Sequence, residues 1–289
     1  MIGQDRLISQ IDDLIEREKF PRFSIIVGEK GMESDDVGRY IACRLDSPCV
    51  VLPDVKVDTI RDMIQQAYKS HDKLVYIMPN ADNMSISAKN AILKVIEEIP
   101  NKVYFVMCLE DLSNTLATIQ SRGTVFRMYT PTKDDIANFA RSLYKNKKDI
   151  DEEVIKIVSN ICTTSLDVDT LMKYGVKEFY SYVEKVADNI FTIGGAEVFN
   201  LMNKLAYKED ADADGYDCRL FLKCLQRVFM DEICDNFAAN KDRCGTNCLC
   251  SIVKCIGRYM SDLRVRGVNR QMLIDNMVLE MRKIWKSQM

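Results

Sequence analysis

Val75-Tyr76-Ile77-Met78-Pro79-Asn80-Ala81-Asp82-Asn83-Met84 opens the stretch that decides the fold. It continues as Ala88-Lys89-Asn90-Ala91-Ile92-Leu93-Lys94-Val95-Ile96-Glu97-Glu98-Ile99-Pro100, then Val103-Tyr104-Phe105-Val106-Met107, and closes on Thr118-Ile119-Gln120-Ser121-Arg122-Gly123. Leu74 to Met78 is a short apolar run stopped by proline, which predicts a buried strand. Ala88, Ala91, Ile92, Val95 and Ile96 recur at helical spacing and predict a helix over 86–98. Val103 to Leu109 predicts the next strand. Strands separated by helices of this length build a parallel sheet covered on both faces.

The same alternation runs upstream. Residues 3–19 place Leu7, Ile8, Ile11, Leu14 and Ile15 on one helical face. Phe23 to Gly28 is a continuous apolar run ending in glycine, hence a buried strand. A glycine-bearing loop leads into a helical pattern over 35–45, and Cys49 to Leu52 forms a strand stopped by Pro53. Asp58 to Tyr68 is a helix with Ile60, Met63, Ile64 and Ala67 on one side. Downstream, Thr124 to Met128 supplies a fifth strand. From Thr130 strand patterns disappear. Thr132-Lys133-Asp134-Asp135 fits a capping box with Asp in the place of the preferred Glu, and helical patterns then run to the end of the sequence. The expected organisation is an α/β domain over 1–130 with a five-stranded parallel sheet, a small helical domain over 131–178 and a second helical domain over 179–289.

Composition narrows the function. The 289 residues suffice for two domains or three small ones, with 47% apolar and 29% charged residues. Acids outnumber bases 43 to 40, a net charge of −3. Bulk charge therefore does not carry nucleic-acid binding, which needs a concentrated basic surface. No apolar run approaches the ~20 residues that span a bilayer, and the opening residues lack the basic and apolar regions of a signal peptide. A cytoplasmic location follows as the expectation. The eleven cysteines sit mostly in apolar segments such as Ile41-Ala42-Cys43 and Val106-Met107-Cys108, which predicts small buried hydrophobes in a reducing compartment. The one histidine, His71, lies in a polar turn and is expected at the surface. That excludes catalysis on a histidine base and a His-rich metal site.

Gly28-Glu29-Lys30-Gly31-Met32-Glu33-Ser34-Asp35 stands where a phosphate-binding loop belongs, after the first strand and before a helix. The working pattern ends in glycine, lysine and a hydroxyl: room for the backbone, charge for the phosphates, a ligand for magnesium. Here those positions are Glu33, Ser34 and Asp35. Two carboxylates facing a polyphosphate cost of order 1 kcal/mol or more even when partly screened. The third strand of such ATPases ends in Asp-Glu, for magnesium and for the attacking water. Here it ends in Pro79-Asn80, which offers neither ligand nor base. Both halves of the chemistry are lost together, so no intrinsic ATP hydrolysis and no bound cofactor are expected.

The opening stretch resembles the AAA+ clamp-loader family, most of all its delta-prime branch in bacterial DNA polymerase III. That family has a strand ending Asp-Glu-Ala-Asp-x-Met, a helix Asn-Ala-Leu-Leu-Lys-x-Leu-Glu-Glu-Pro-Pro, and then Thr-Ile-x-Ser-Arg-Cys. Ile2-Gly3-Gln4 is similar to its N-terminal signature and Val57-Asp58-x-Ile60-Arg61 to its second helix. Val268-Asn269-x-x-Met272-Leu273-Ile274-x-x-x-Val278-Leu279 is similar to the end of its collar. Departures are Ile99 for a proline, Gly123 for the cysteine, and a short connection carrying only Cys43 and Cys49 where many bacterial relatives hold a four-cysteine zinc module. The resemblance implies an AAA+ α/β module, an all-α lid and an all-α collar that oligomerises. It implies a non-hydrolysing subunit of a DNA polymerase holoenzyme, which helps load a sliding clamp onto primed DNA. The implied partners are ATPase subunits of the gamma/tau type and a delta subunit, with the clamp and primer-template DNA reached through the complex and no membrane. Arg122, with Ser121 positioning it, is the implied arginine finger acting in a neighbour's ATP site. A guanidinium suits that role because it stays charged and forks onto two oxygens. Arg61 on the second helix is an implied DNA contact, beside Lys56 and Lys69. Two other readings stay open: an active AAA+ ATPase of unusual sequence, and a scaffold or regulator that shares the fold without loading clamps.

Two further patterns imitate metal sites. Asp210-Ala-Asp212-Ala-Asp214-Gly215 copies half of an EF-hand loop, but the position of the bidentate Glu is Phe221 and the aliphatic position is Asp217. It reads as a solvated acidic loop. Cys244, Cys248, Cys250 and Cys255 have poor zinc spacing, and Cys248 and Cys255 flank Ile252 on a helical core stripe.

Overall fold

The computed structural model describes residues 1–143, 151–206, 215–238, 243–263 and 268–288, without the side chains of 243, 244 and 288. The chain divides into two compact units. The first is Met1–Phe139 with Thr163–Leu166, and the second is Ala140–Cys162 with Asp167–Met289.

In the first unit, α1 (Asp5–Glu16), β1 (Phe23–Val27), α2 (Ser34–Arg44), β2 (Cys49–Val51), α3 (Val57–Lys69) and β3 (Leu74–Met78) follow one another. Then come α4 (Ile86–Glu97), β4 (Val103–Leu109), α5 (Ala117–Gln120), β5 (Thr124–Arg127) and the first part of α6 (Lys133–Leu143), which continues into the second unit. The five strands form one parallel sheet in the order β2-β3-β4-β1-β5. β1 is buried along its whole length because it lies between β4 and β5, with Ile25 level with Met107 and Val125.

Alternation along the strands splits the core in two. Phe23, Ile25, Val27, Tyr76, Phe105 and Met107 face α3 and α4, where they meet Ile60, Met63, Ala88, Ile92 and Val95. Ile26, Val75, Ile77, Val106 and Cys108 face α1 and α2, where they meet Leu7, Ile11, Val37 and Ile41. Caps set two helix starts. Ser85 Oγ accepts from Ala88 N at 3.1 Å, and the Thr132 box forms in both directions. Asp135 N donates to Thr132 Oγ1 at 3.2 Å while Asp135 Oδ2 accepts from Thr132 N at 2.9 Å.

The second unit is helical, built on α7 (Glu152–Ile161), most of α8 (Ser165–Tyr174), α9 (Val176–Asn189), α10 (Gly195–Leu201), α11 (Cys218–Ala238), α12 (Arg243–Asp262) and α13 (Arg270–Gln288). Phe179, Val183, Phe221, Leu225, Ile252, Ile256, Ile274 and Met277 are buried in it. Trp285 stacks on Phe191 with ring centroids 4.5 Å apart, and Arg282 donates to the carbonyls of Ile190 and Ile193 beyond α9. Strand structure does not stop at Thr130, however. β6 (Leu205–Ala206) and β7 (Tyr216–Asp217) form a two-residue parallel ladder in this unit.

Cysteine burial is a second correction. Cys108, Cys162, Cys218, Cys224, Cys248 and Cys255 are buried, but Cys43, Cys49 and Cys234 are exposed. Cys43 follows Ile41 by two residues, which on a helix turns it away from the core. Cys49 lies on the edge strand. Cys248 and Cys255 flank buried Ile252 on α12, as their spacing predicts. The acidic stretch Asp210 to Asp214 and the side chain of Cys244 lie outside the described residues. Past that stretch, Asp217 Oδ1 accepts from Leu220 N at 2.8 Å and Phe221 is fully buried. No helix among the described residues is long and apolar enough to cross a membrane.

Candidate functional site

The loop after β1 keeps the place of a phosphate site. Gly28 N is bonded to Leu109 O, Gly31 has φ +90°, and Glu33 takes a left-handed φ of 55° as the residue that starts α2. Ser34, at the lysine position of the pattern, hydrogen-bonds inward to the Cys108 thiol on β4. Burial pushes that thiol up to about 12. The helix N-terminus that would receive an anion carries Asp35 and Asp36 instead. Arg39 lies 3.8 Å from each, too far for a tight pair.

Thr164 and Ser165 pack against the loop. Both are buried, and Ser165 Oγ donates to Gly31 O at 2.8 Å. A Cβ on Gly31 would lie 2.6 Å from Leu166 Cβ and 2.9 Å from Thr164 Oγ1, so the approach needs glycine. What remains between Ile2, Gln4, Met32, Glu33, Pro131, Thr164 and Ser165 is a cavity of about 10 Å³. That is about the room of one water.

Beyond β3, Asn80 adopts a left-handed φ of 50° and starts a single 3-10 turn, Ala81–Asn83. Asp82 on that turn is buried, and its carboxylate accepts three hydrogen bonds: from Glu110 N at 2.7 Å, Asp111 N at 3.2 Å and Asn114 Nδ2 at 2.9 Å. It fixes the loop that links β4 to α5. Gln120 ties α5 to the same loop through the Leu112 and Thr115 carbonyls.

α5 delivers Ser121 and Arg122. Arg122 Nη1 donates to Thr118 O at 2.9 Å, and Nη2 pairs with Glu97 Oε1 at 2.8 Å. The Arg122 side chain stays 37% exposed. Ser121 Oγ donates to the same Thr118 carbonyl at 3.1 Å. The two residues thus converge on one acceptor. Gly123 packs so closely that an added Cβ would meet Ile25 Cδ1 at 2.7 Å and Phe23 Cε1 at 2.9 Å. Arg61 stands on the exposed side of α3, 3.5 Å from Asp58, and Lys56 lies 3.3 Å from Asp54. His71 is exposed.

Known proteins can now be set beside this geometry. Residues 8–132 match the family model described as DNA polymerase III, delta subunit. A DNA polymerase III subunit delta' from Haemophilus influenzae is 24% identical over 248 residues, covering 81% of this chain and 74% of that protein. A DNA polymerase III subunit gamma from Buchnera aphidicola subsp. Schizaphis graminum is 24% identical over 57% of this chain. The chain is similar to clamp-loader subunits of the delta' and gamma types.

The match spans only 54% of that gamma subunit's length. Among solved structures, the Thermotoga maritima RuvB Holliday junction branch migration motor is similar with a TM-score of 0.51 at 14% identity, over 79% of this chain and 78% of that one. That likeness concerns the AAA+ fold. Three contacts of the region escape sequence reasoning. Glu97 is quoted in the family helix without a partner, yet it holds Arg122. Asp82 lies in the strand motif, yet it organises a loop some 30 residues on, which the motif does not announce. Gln4 bonds both the N–H and the carbonyl of Tyr129, 125 residues away, which no local pattern reveals.

Proposed function

We propose that this chain is a non-hydrolysing clamp-loader subunit of the delta-prime type. It works in the cytoplasm in a hetero-oligomer with ATPase subunits of the gamma/tau type and a delta subunit, and helps place a sliding clamp on primed DNA. Its region 131–178 is the helical lid, and its collar, 179–289, oligomerises with those neighbours. Arg122 is offered to the ATP site of one of them, where a guanidinium stabilises charge on the transferred phosphoryl group.

The observation that carries the reading is the contrast between two sites on one sheet. The loop after β1 carries acids where phosphate would sit and is tied to Ser165 through Gly31 O, while Arg122 is held at the surface. A chain with acids in place of a phosphate site and a presented arginine is suited to act on a neighbour's nucleotide. Arg61 is proposed as a DNA contact, supported by its exposure on α3. Calorimetric titration of the purified chain with Mg-ATP, followed by mass measurement of the assembly co-expressed with the ATPase subunits, tests the reading. No micromolar binding to the lone chain and a stable complex are expected. Tight triphosphate binding by the lone chain, or failure to assemble, contradicts it.

A further inference from the structure

Arginine offers five N–H donors in a planar fork. In Arg122 one goes to Thr118 O and one to Glu97 Oε1. These acceptors belong to different elements, because Glu97 is the last residue of α4 and Thr118 sits in α5. One contact alone leaves a long side chain free to swing about the bonded nitrogen. Two contacts, one on each terminal nitrogen, fix both the position and the plane of the guanidinium. The side chain nonetheless remains 37% exposed.

We propose that Glu97 is a positioning residue for Arg122, holding the guanidinium in the orientation in which it meets a neighbouring subunit's nucleotide. The inference rests on the finger role assigned to Arg122 above and adds the group that aims it. An ion pair with Glu97 52% exposed contributes little to stability, so its use is order rather than strength. Pre-ordering a rotamer-rich side chain removes an entropic cost that would otherwise fall on the catalytic step.

The test uses the assembled complex and ATP, with clamp and primed DNA present. Glu97→Ala lowers kcat about three- to tenfold and leaves KM within about twofold, since the arginine's contact is made in the transition state. Glu97→Gln, whose amide oxygen still accepts from Nη2, restores most of the rate. Glu97→Asp keeps the charge but withdraws the carboxylate, and is expected to behave like Ala. Unchanged or raised kcat in Glu97→Ala, while Arg122→Ala abolishes stimulation, overturns the positioning role and leaves the finger role standing. An aspartate variant with the wild-type rate also overturns it, since only charge would then matter. Unchanged kcat in Arg122→Ala removes the parent reading instead. Thermal midpoints and co-elution establish that each variant is folded and assembled.

Discussion

Arg122 Nη2 and Glu97 Oε1 are 2.8 Å apart, and the pair joins the end of α4 to the turn after α5. The two residues stand 25 positions apart in sequence, and the packing of α5 on α4 brings them together. Their neighbour Gly123 explains how the turn fits. Ile25 and Phe23 occupy the space that a side chain after the arginine would use.

Gly123→Ala therefore overpacks the core beneath Arg122. We expect a loss of about 1–3 kcal/mol in urea unfolding. Ile25→Val removes the Cδ1 atom in the way, so the double variant recovers part of that loss. A Gly123→Ala variant as stable as wild type would contradict the packing account.

Asp82→Ala leaves three donors of the β4–α5 loop without their acceptor. The expected loss is on the order of 3 kcal/mol, because hydrogen bonds to a buried carboxylate are among the stronger ones. Hydrogen exchange at Glu110 and Asp111 reads the effect locally. Protection equal to wild type at those amides would show that the loop is held by something else.

Much of this was legible beforehand, and the reasons are physical. The five strands are continuous apolar runs, and burial on both faces leaves that signature. The capping box is local, so Thr132 and Asp135 announce themselves. The ladder of β6 and β7 is only two residues per strand, too short for any period. Cys43 is exposed although it adjoins Ile41 and Ala42, apolar neighbours that hide its helical phase. The tie on the loop after β1 comes from Ser165, 134 residues from Gly31, a distance no pattern spans.

That tie has a consequence for redesign. Restoring the loop with Glu33→Gly, Ser34→Lys and Asp35→Thr supplies the loop's phosphate-binding groups but leaves Met32, Thr164 and Ser165 in place. The triple variant is expected to bind no Mg-ATP at micromolar concentration by calorimetry. Micromolar binding would mean that the acids alone, and not Met32, Thr164 and Ser165, exclude the nucleotide.

The Thr132 hydroxyl and N–H hold the Asp135 carboxyl below its usual range of about 3.8. A folded value below the unfolded one contributes stability above the unfolded value, lost as pH falls through the folded one. Thr132→Ala is expected to cost about 1 kcal/mol at neutral pH. The gap to wild type narrows as pH drops from about 4 downward. A gap that stays constant to pH 2.5 would separate Asp135 from the cap.

One measurement bears on the central claim most directly: ATP turnover of the assembled complex, with clamp and primed DNA, carrying either the wild-type chain or Arg122→Ala. The account predicts that the variant assembles normally and loses stimulated turnover by about a hundredfold or more, in line with arginine fingers elsewhere. Wild-type turnover from a correctly assembled Arg122→Ala complex would contradict it.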